Sequence, residues 1–210
     1  MKKVFAALCL GLAFATTAFA TEVTTITYKT SKTEYQYPRF TMENKDVANK
    51  INKTLTSEFK RALKYHQENH EIVGGGLKYE VEIDNDKYLS VMMQSHDYFG
   101  GAHGMYYTRY FVFNKADGKR LEYSDFVPSI NTEQFQHGVK TRILPVYNAA
   151  GDKTKAPFLT ENTLVTDNFK LNEDESVSLV YDPYELDSYA AGNTYVHLTK
   201  KNIARLKACF

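Results

Sequence analysis

The sequence predicts an α+β fold in which a long amphipathic helix packs on an antiparallel sheet and a second, smaller helix-and-sheet unit follows. Apolar residues recur every four positions between residues 45 and 69, a spacing typical of an amphipathic helix. Segments rich in Tyr, Val, Ile and Phe alternate with turn residues in both halves of the chain, which indicates short antiparallel strands. Neither a repeat nor a low-complexity tract is visible.

The first twenty residues have the pattern of a secretory signal peptide. Two lysines precede an apolar run over residues 4–15, and Ala18-Phe19-Ala20 forms a small-x-small cleavage site. The run is shorter than the roughly 20 apolar residues of a membrane span. The residue before Cys9 fits a lipoprotein cleavage site poorly. We therefore expect export and release, to the periplasm or the medium, with a mature chain that begins at Thr21.

Charge and cysteine content exclude several classes of function. The chain has 26 Lys+Arg against 25 Asp+Glu, and loss of the two lysines in residues 1–20 leaves 24 against 25, a net charge of −1. This balance excludes a chain-wide basic field for nucleic acid. Cys9 leaves with the signal peptide, so Cys209 has no internal disulfide partner. We expect a monomer without cofactor, bound nucleic acid, bound metal or stable membrane insertion.

Residues 21–112 are expected to form the first unit. Two strands open it, at residues 23–28 and 34–40, and Pro38 suggests that the second lies at a sheet edge or a strand end. A helix over about residues 45–69 follows, with Asn44 as its N-cap, and Gly74-Gly75-Gly76 is expected to end it. Three strands of an antiparallel meander complete the unit, at residues 77–84, 88–99 and 105–114.

Residues 113–210 are expected to form the second unit, packed closely on the first. Residues 132–147 predict a shorter helix that Pro145 weakens near its end. Three further strands are expected, at residues 167–171, 176–181 and 194–198. An irregular loop at 182–193 separates the last two, and Thr199 is the expected N-cap of a final short helix.

Charge is distributed unevenly along the chain. Residues 39–64 contain seven Lys or Arg and three acids, a net charge of +4, whereas residues 161–190 contain eight acids and one lysine, a net charge of −7. A charged run is most often a solvated face. The alternative is a docking surface for a basic partner, whose association an acidic field would accelerate.

His66 and His70 lie one turn apart on the predicted helix, as a pair of metal ligands would. However, Gln67 stands where the zinc-protease pattern needs Glu. The expected environment of both histidines is therefore a solvated helix end, where the helix dipole favours protonated His. The chain also contains no Gly-x-Ser-x-Gly elbow and no complete phosphate loop.

His96 and His103 flank a glycine pair, Gly100-Gly101, in a predicted hairpin. Residues seven positions apart in a regular strand lie on opposite faces of the sheet, so a bulge or turn would be needed to bring the two imidazoles together. With carboxylates such as Asp97, Asp182 or Glu185 they would form a small cell-wall-active or metal-dependent hydrolase. The structural interpretation is that both glycines adopt conformations that side chains disfavour and that His103 satisfies backbone groups. We therefore expect no catalytic residue.

Three stretches, taken in order, carry a resemblance to a bacterial extracytoplasmic family. They are Tyr88–Val91 running into Tyr98–Gly104, then Asn114–Leu121 with Ser124-Asp125-Phe126, and Asp167–Leu171 with Tyr181–Leu186 and Tyr189–Gly192. Together with Tyr37-Pro38 and the long helix, they resemble the paired domains of unknown function in the ectodomain of lysozyme-sensing anti-sigma factors. The same pair precedes the catalytic domain of some peptidoglycan deacetylases. This sequence shows neither a membrane helix nor a deacetylase domain, so a free-standing exported binding module is expected.

The resemblance implies a partner such as a basic lysozyme-like muramidase or a peptidoglycan fragment. We expect the contact surface to combine the hairpin with the loop at 182–193, since recognition usually lies on loops of a rigid scaffold. The expected binding residues are Tyr98, Phe99, Gly100, Gly101, His103, Asp182, Tyr184, Glu185, Asp187 and Tyr189. A purely turn-forming role is the alternative for both segments. A structural or assembly role in the envelope is a further alternative.

Overall fold

The computed structural model describes residues 21–154 and 157–210. The predicted signal peptide lies outside these residues. The chain divides into two compact units: the first runs to residue 107 and includes 113–120, and the second comprises 108–112 and 121–210. The described residues form three α-helices and two sheets, which confirms the predicted α+β class.

The first sheet has five strands. They are β1 (Glu22–Lys29), β2 (Thr33–Thr41), β3 (Gly74–Asp84), β4 (Tyr88–Tyr98) and β5 (Met105–Asn114). Their order in the sheet follows the chain from β1 to β5. β1 pairs with β2 and β3 with β4 in antiparallel register, whereas β2 and β3 run parallel. All five predicted strands are therefore present, because residue alternation and turn chemistry agree along this half of the chain.

Helix α1 (Lys45–Glu68) confirms the predicted amphipathic helix. The Asn44 side chain accepts hydrogen bonds from the N–H groups of Asp46 and Val47, so it caps the first turn as expected. The apolar stripe is buried: Val47, Ala48, Ile51, Leu55, Phe59 and Ala62. The helix ends at an Asn69 cap, and Gly74–Gly76 begin β3 instead of ending the helix.

Gly75 and Gly76 allow neighbouring backbones to approach closely. Their φ angles are +147° and +155°. A Cβ at Gly75 would lie 2.1 Å from the His96 carbonyl oxygen, and one at Gly76 would lie 1.7 Å from the Glu34 carbonyl oxygen. Because no side chain fits in such a space, the glycines are required at the centre of the sheet.

Pro38 lies in β2, which is an interior strand and not the edge strand that its proline suggests. The pairing of β2 with β3 covers only Thr33–Tyr35, so Pro38 lies beyond it. At Phe40, two residues after Pro38, the side chain of Asn52 in α1 takes the place of a strand partner. Its Oδ1 accepts from the Phe40 N–H and its Nδ2 donates to the Phe40 carbonyl, both at 2.8 Å. Proline is tolerated because this part of β2 behaves locally as an edge.

The second sheet has four strands, all paired antiparallel in the order β6-β9-β8-β7. They are β6 (Val146–Tyr147), β7 (Phe169–Leu171), β8 (Val177–Tyr181) and β9 (Thr194–Leu198). Every residue of β8 is buried, so both faces of this strand are covered. The three strands expected in this half are confirmed as β7, β8 and β9, and β6 lies within the segment predicted as helix.

Helix α2 (Thr132–Lys140) is shorter than the predicted 132–147, so that prediction was wrong beyond residue 140. Arg142 has a φ of +61°, which ends the helical path. Pro145 then disfavours helical backbone at the residue before it, and the chain continues into β6. The prediction extended too far because Ile143 continues the four-residue spacing of Phe135 and Val139, but only those two of the three are buried in the helix.

Helix α3 (Lys200–Lys207) confirms the predicted final helix. Thr199 caps it, and Asn202 returns a hydrogen bond to the Thr199 N–H. Its inward-facing residues, Ile203 and Leu206, are fully buried. Cys209 beyond it is an exposed free thiol. Across the described ranges, no helix combines the length and apolarity that a bilayer crossing requires.

Candidate functional site

The hairpin between β4 and β5 carries five of the predicted binding residues. Tyr98 ends β4, and its hydroxyl donates to the Gly101 carbonyl at 3.0 Å. Phe99 beside it is 42% exposed. Gly100 has a φ of +81°, which confirms the expected left-handed conformation. The same expectation for Gly101 was wrong: a Cβ there would meet nothing within 4 Å and its φ is not left-handed, because the turn needs only one such residue.

The hydrolase alternative requires His96, His103 and a carboxylate in one cleft. His96 is exposed, whereas Asp97 is only 1% exposed, because successive residues of a strand face opposite sides. The exposed His103 donates from Nδ1 to the Gly104 carbonyl at 3.0 Å, the kind of backbone contact that the structural interpretation expects. Within residues 21–154 and 157–210, no three His, Cys, Asp or Glu side chains are grouped to hold a metal ion.

Asp97 belongs instead to a buried polar chain that the sequence did not predict. Its Oδ1 accepts from His66 Nε2 at 2.5 Å, and the Tyr35 hydroxyl lies 2.6 Å from His66 Nδ1. The side chains are enclosed: Tyr35 is 0% exposed, Asp97 1% and the His66 side chain 2%. The expectation of a solvated helix end was therefore wrong for His66, whose face of α1 is turned toward the sheet.

The three side chains have complementary hydrogen-bonding roles. Burial raises the pKa of Tyr35, so its hydroxyl keeps its proton and can donate to His66 Nδ1. Nε2–H of the same ring then donates to the Asp97 carboxylate. The hydrogen-bonded series Tyr35–His66–Asp97 is enclosed by the protein. Its hydrogen bonds therefore stabilise the packing of α1 against β2 and β4.

The loop from residue 182 to 193 carries the other five predicted binding residues, and Asp182 anchors it within the second unit. Its Oδ1 accepts from the Thr108 N–H at 2.8 Å and from Asn193 Nδ2 at 3.2 Å. Its own N–H donates to Glu185 Oε2 at 2.6 Å. Burial raises the pKa of Asp182 to about 6. This carboxylate thus serves the internal structure of the loop, with backbone and amide groups as its partners.

Tyr184 and Tyr189 form a pair of neighbouring rings on this loop. Tyr184 is 56% exposed and has a φ of +72°, a left-handed conformation that is costly for a tyrosine. The two ring centroids are 5.8 Å apart, with the planes inclined by 33°. The Tyr184 N–H donates to the Asp187 carbonyl at 2.9 Å, and the Ser188 N–H donates to the Asp187 carboxylate at 2.7 Å. The loop therefore holds the Tyr184 ring outward against the local backbone preference.

Acidic side chains give this part of the second unit a negative surface. Most acids of the 161–190 stretch are exposed: Glu161, Asp167, Glu173, Asp174, Glu175 and Glu185. Lys170, the single basic residue of the stretch, lies over the Tyr110 ring at 5.9 Å from its centroid. Hydrogen bonds from the hydroxyl and the N–H of Ser176 hold the pKa of Asp174 below its usual value.

The chain matches two family models in tandem, one described as "Deacetylase PdaC" at residues 26–106 and one as "Protein of unknown function (DUF3298)" at residues 111–201. A crystal structure of a DUF3298 family protein from Pseudomonas aeruginosa PAO1 is 15% identical, with a TM-score of 0.56 over 90% of this chain and 94% of that one. A DUF3298 member from Bacteroides fragilis NCTC 9343 is 13% identical, with a TM-score of 0.54 over 89% and 92%. No curated protein matches the sequence.

These comparisons agree with the resemblance that the sequence motifs carry. At such low identity, the two solved structures establish the fold alone. The paired domains indicate a module associated with the cell envelope. The chain carries a PdaC-type domain followed directly by a DUF3298 domain, which is the pair of domains that its sequence motifs resemble.

Proposed function

We propose that the protein is an exported binding module of the cell envelope that recognises a basic, lysozyme-like muramidase through the loop of its second unit. The observation that carries this proposal is the exposed Tyr184 ring on left-handed backbone, 5.8 Å from the ring of Tyr189. Strained backbone persists where the surrounding structure imposes it, and it clusters at binding sites. Exposed tyrosines on a hydrogen-bonded loop have the composition of an interface hot spot.

The charge of the same unit supports a basic partner. Residues 161–190 carry a net charge of −7, and their only lysine lies against an aromatic ring. An acidic field of this kind accelerates the approach of a basic protein and fades as salt is added, since the Debye length falls from ~10 Å at 0.1 M to ~3 Å at 1 M. Glu185 lies next to Tyr184 in the chain, which places a charge beside the proposed aromatic anchor.

The first test separates the tyrosine ring from the strained backbone that holds it. Tyr184→Asn removes the ring but suits left-handed backbone, because Asn tolerates positive φ. We expect faster dissociation from a basic muramidase and affinity weakened about 30-fold, the size of a hot-spot loss. Thermal stability should stay unchanged or rise. Phe158→Ala is the matched control, since Phe158 lies in the same unit and is also 56% exposed. Equal losses in both variants would contradict the assignment to Tyr184.

The second test addresses charge. Glu185→Gln combined with Asp187→Asn removes two charges while it keeps the oxygen acceptors of both side chains. We expect slower association and a weaker dependence of the association rate on salt, with dissociation nearly unchanged. Glu43→Gln with Glu80→Gln removes the same charge from exposed positions of the first unit and is the control. If the association rate changed neither with salt nor with the loop substitutions, the acidic stretch would be a solvated face without a role in binding. A folded protein without detectable muramidase binding would overturn the proposal.

A further inference from the structure

A groove in the first unit runs beside helix α1. Its volume is about 470 Å³, and one face of the helix lines it from Asn49 to Lys60. Strand β2 lines the opposite side through Tyr37 and Arg39, which are two residues apart and therefore lie on the same face of the strand. β1 contributes Ile26, the partner of Tyr37 in the sheet. The groove is thus bounded by the helix on one side and by the first hairpin on the other.

Two contacts set the position of Arg39 along the helix. The side chain of Asn52 bonds to both backbone groups of Phe40, and the Tyr37 ring stacks on Phe59 with centroids 4.4 Å apart. This part of β2 therefore runs in the opposite direction to α1. Arg39 precedes Phe40 by one residue, which places it across the groove from the middle of the helix face that lines it.

Lys53 and Lys60 lie on one face of α1, with Thr56 and Ser57 between them. Seven residues of helix rise about 10 Å, so the midpoint is about 5 Å from each lysine, within the span of a flexible four-carbon stem. Both ammonium groups can therefore meet at the level of Thr56, where Arg39 faces them across the groove. The Ser57 hydroxyl donates to the Lys53 carbonyl at 2.8 Å, so Thr56 is the hydroxyl that a ligand at this level can use.

The groove has a surplus of hydrogen-bond donors. Its three cations are Arg39, Lys53 and Lys60, and none of its lining residues is acidic. Within the part of the chain that the structure describes, none of the three forms an ion pair. Lysine and arginine side chains can only donate. Burial raises the pKa of Tyr37, so its hydroxyl also keeps a proton. A ligand for this groove must therefore bring negatively charged acceptors.

We propose that this groove binds a dianionic phosphoryl group at the level of Thr56. Such a group carries close to two negative charges near neutral pH and presents three strong acceptor oxygens. Arg39, Lys53 and Lys60 can then each donate to one oxygen, and the Thr56 hydroxyl supplies a further donor from the helix. A carboxylate offers one charge and two oxygens, so it would leave part of the positive charge uncompensated. Free phosphate, soluble phosphomonoesters and phosphatidic acid all carry this group, and the experiment distinguishes these sources.

The test is titration calorimetry of the full chain with phenyl phosphate and with benzoate. Both ligands carry one aromatic ring, but benzoate has a single charge. Measured at about pH 7.5, above the second phosphate pKa of about 6, the phosphoryl group is a dianion. We expect phenyl phosphate to bind at least about 10-fold more tightly, since it forms more charge-assisted hydrogen bonds. Equal binding of the two ligands would overturn the assignment to a dianion.

Charge variants test whether the groove is the site. Lys53→Gln with Lys60→Gln should weaken binding of phenyl phosphate by about 10-fold or more. Lys45→Gln with Lys64→Gln removes the same charge from the same helix outside the groove lining and should change binding by less than about 2-fold. All four lysines are exposed, so folding is checked by the melting temperature alone. Equal effects of the two pairs would show a diffuse charge effect and overturn the groove.

A second pair of variants tests the level of the phosphoryl group along the helix. Thr56→Val removes the hydroxyl at the midpoint and keeps the shape of the side chain, so we expect binding weakened by about 5-fold or more. Thr54→Val is the control, because the Thr54 hydroxyl donates to the Lys50 carbonyl and lies outside the groove lining. Unchanged binding in Thr56→Val would overturn the placement between the two lysines.

Competition identifies the source of the phosphoryl group. Inorganic phosphate, and vesicles of phosphatidylcholine with equimolar phosphatidic acid, should displace phenyl phosphate, and the stronger competitor names the source. Displacement by neither would overturn the proposal. Duplex DNA, whose phosphodiesters are monoanions, should compete more weakly than inorganic phosphate at equal phosphate concentration; stronger competition would reassign the groove to polyanions and overturn it as well. Tyr184→Asn should leave phosphoryl binding unchanged, so this site and the muramidase site can fail independently.

Discussion

Asp97 of the first unit is buried and Asp182 of the second is half-buried, and the two aspartates are satisfied in different ways. Asp97 in the first unit accepts from the His66 ring, which is itself bonded to Tyr35, so side chains supply its partners. Asp182 in the second unit accepts from the Thr108 N–H and the Asn193 amide, which cannot gain or lose a proton. The buried acid of the first unit thus has a titratable partner, whereas Asp182 is left to take up a proton itself, and burial raises its pKa to about 6.

In each unit, an asparagine side chain forms hydrogen bonds with the backbone of a strand. Asn52 of α1 pairs with both backbone groups of Phe40 in the first unit. In the second unit, Asn168 accepts from the Tyr110 N–H at 2.9 Å and donates to the Thr108 carbonyl at 2.7 Å. An amide carries a donor and an acceptor side by side, so one asparagine replaces a neighbouring strand. The backbone groups that the two asparagines satisfy belong to β2 and β5, both of which are strands of the first sheet.

The largest expected effect follows from breaking the Tyr35–His66–Asp97 chain. His66→Ala leaves the Asp97 carboxylate buried without its partner, and we expect a loss of about 3–5 kcal/mol of unfolding free energy. Urea denaturation measures it. His70→Ala, at the exposed position one turn later, should cost less than about 0.5 kcal/mol.

Asp97→Asn sharpens the interpretation of that loss. Its amide oxygen still accepts from His66 Nε2, but it carries no charge, so we expect a loss of only about 1 kcal/mol. A loss as large as that of His66→Ala would show that the negative charge of Asp97 stabilises the chain. The two aspartates would then differ in sign, because the charged form is the costly one at Asp182.

Asp182 should make stability depend on pH in the opposite sense to an ion-paired acid. Between the ordinary pKa of 3.8 and about 6, the folded protein binds more protons than the unfolded chain, so this group lowers the unfolding free energy as pH rises. Asp182→Asn keeps an oxygen for the Thr108 N–H and stays neutral. We expect the variant to match the wild type near pH 4 and to exceed it at pH 7 by up to about 3 kcal/mol.

Urea midpoints measured from pH 4 to pH 7 check this expectation. The exposed Asp167→Asn is the control from the same unit and should leave the pH dependence as it is in the wild type. If Asp182→Asn were less stable than the wild type at every pH, the hydrogen bonds of the carboxylate would outweigh the cost of its burial.

The two asparagines provide the next comparison. Asn168→Ala leaves the Tyr110 N–H and the Thr108 carbonyl without this side-chain partner in a buried site, and we expect a loss of about 2–3 kcal/mol. Asn52 is only half-buried, so water can replace part of its role, and Asn52→Ala should cost about 1–2 kcal/mol. Asn49→Ala, exposed on the same helix, is the control. Equal losses at Asn52 and Asn168 would show that burial does not decide the cost.

The sequence predicted elements where local patterns and tertiary structure agree. The stripe of α1 and the alternation of β1–β5 are local, so their bounds follow to within a few residues. The stripe even continues through His66, which lies four residues after Ala62 and seven after Phe59. Its partner Asp97 lies 31 residues away, and no periodicity links the two. Likewise, left-handed backbone is expected at glycine, so nothing local marks Tyr184.

The smallest expected effect compares one turn glycine from each unit. Gly100 and Gly151 have φ angles of +81° and +85°, and an added Cβ would meet only Val73 Cγ2 at 3.8 Å in the first case and nothing within 4 Å in the second. With room for the methyl group, the cost of Gly→Ala comes from the backbone alone, about 1 kcal/mol at each site. Gly101→Ala should have the opposite sign and stabilise by about 0.4–1 kcal/mol, because its φ suits alanine and the unfolded chain loses freedom. Thermal melts of the three variants decide this, and a loss at Gly101 equal to that at Gly100 would mean that the hairpin needs both glycines after all.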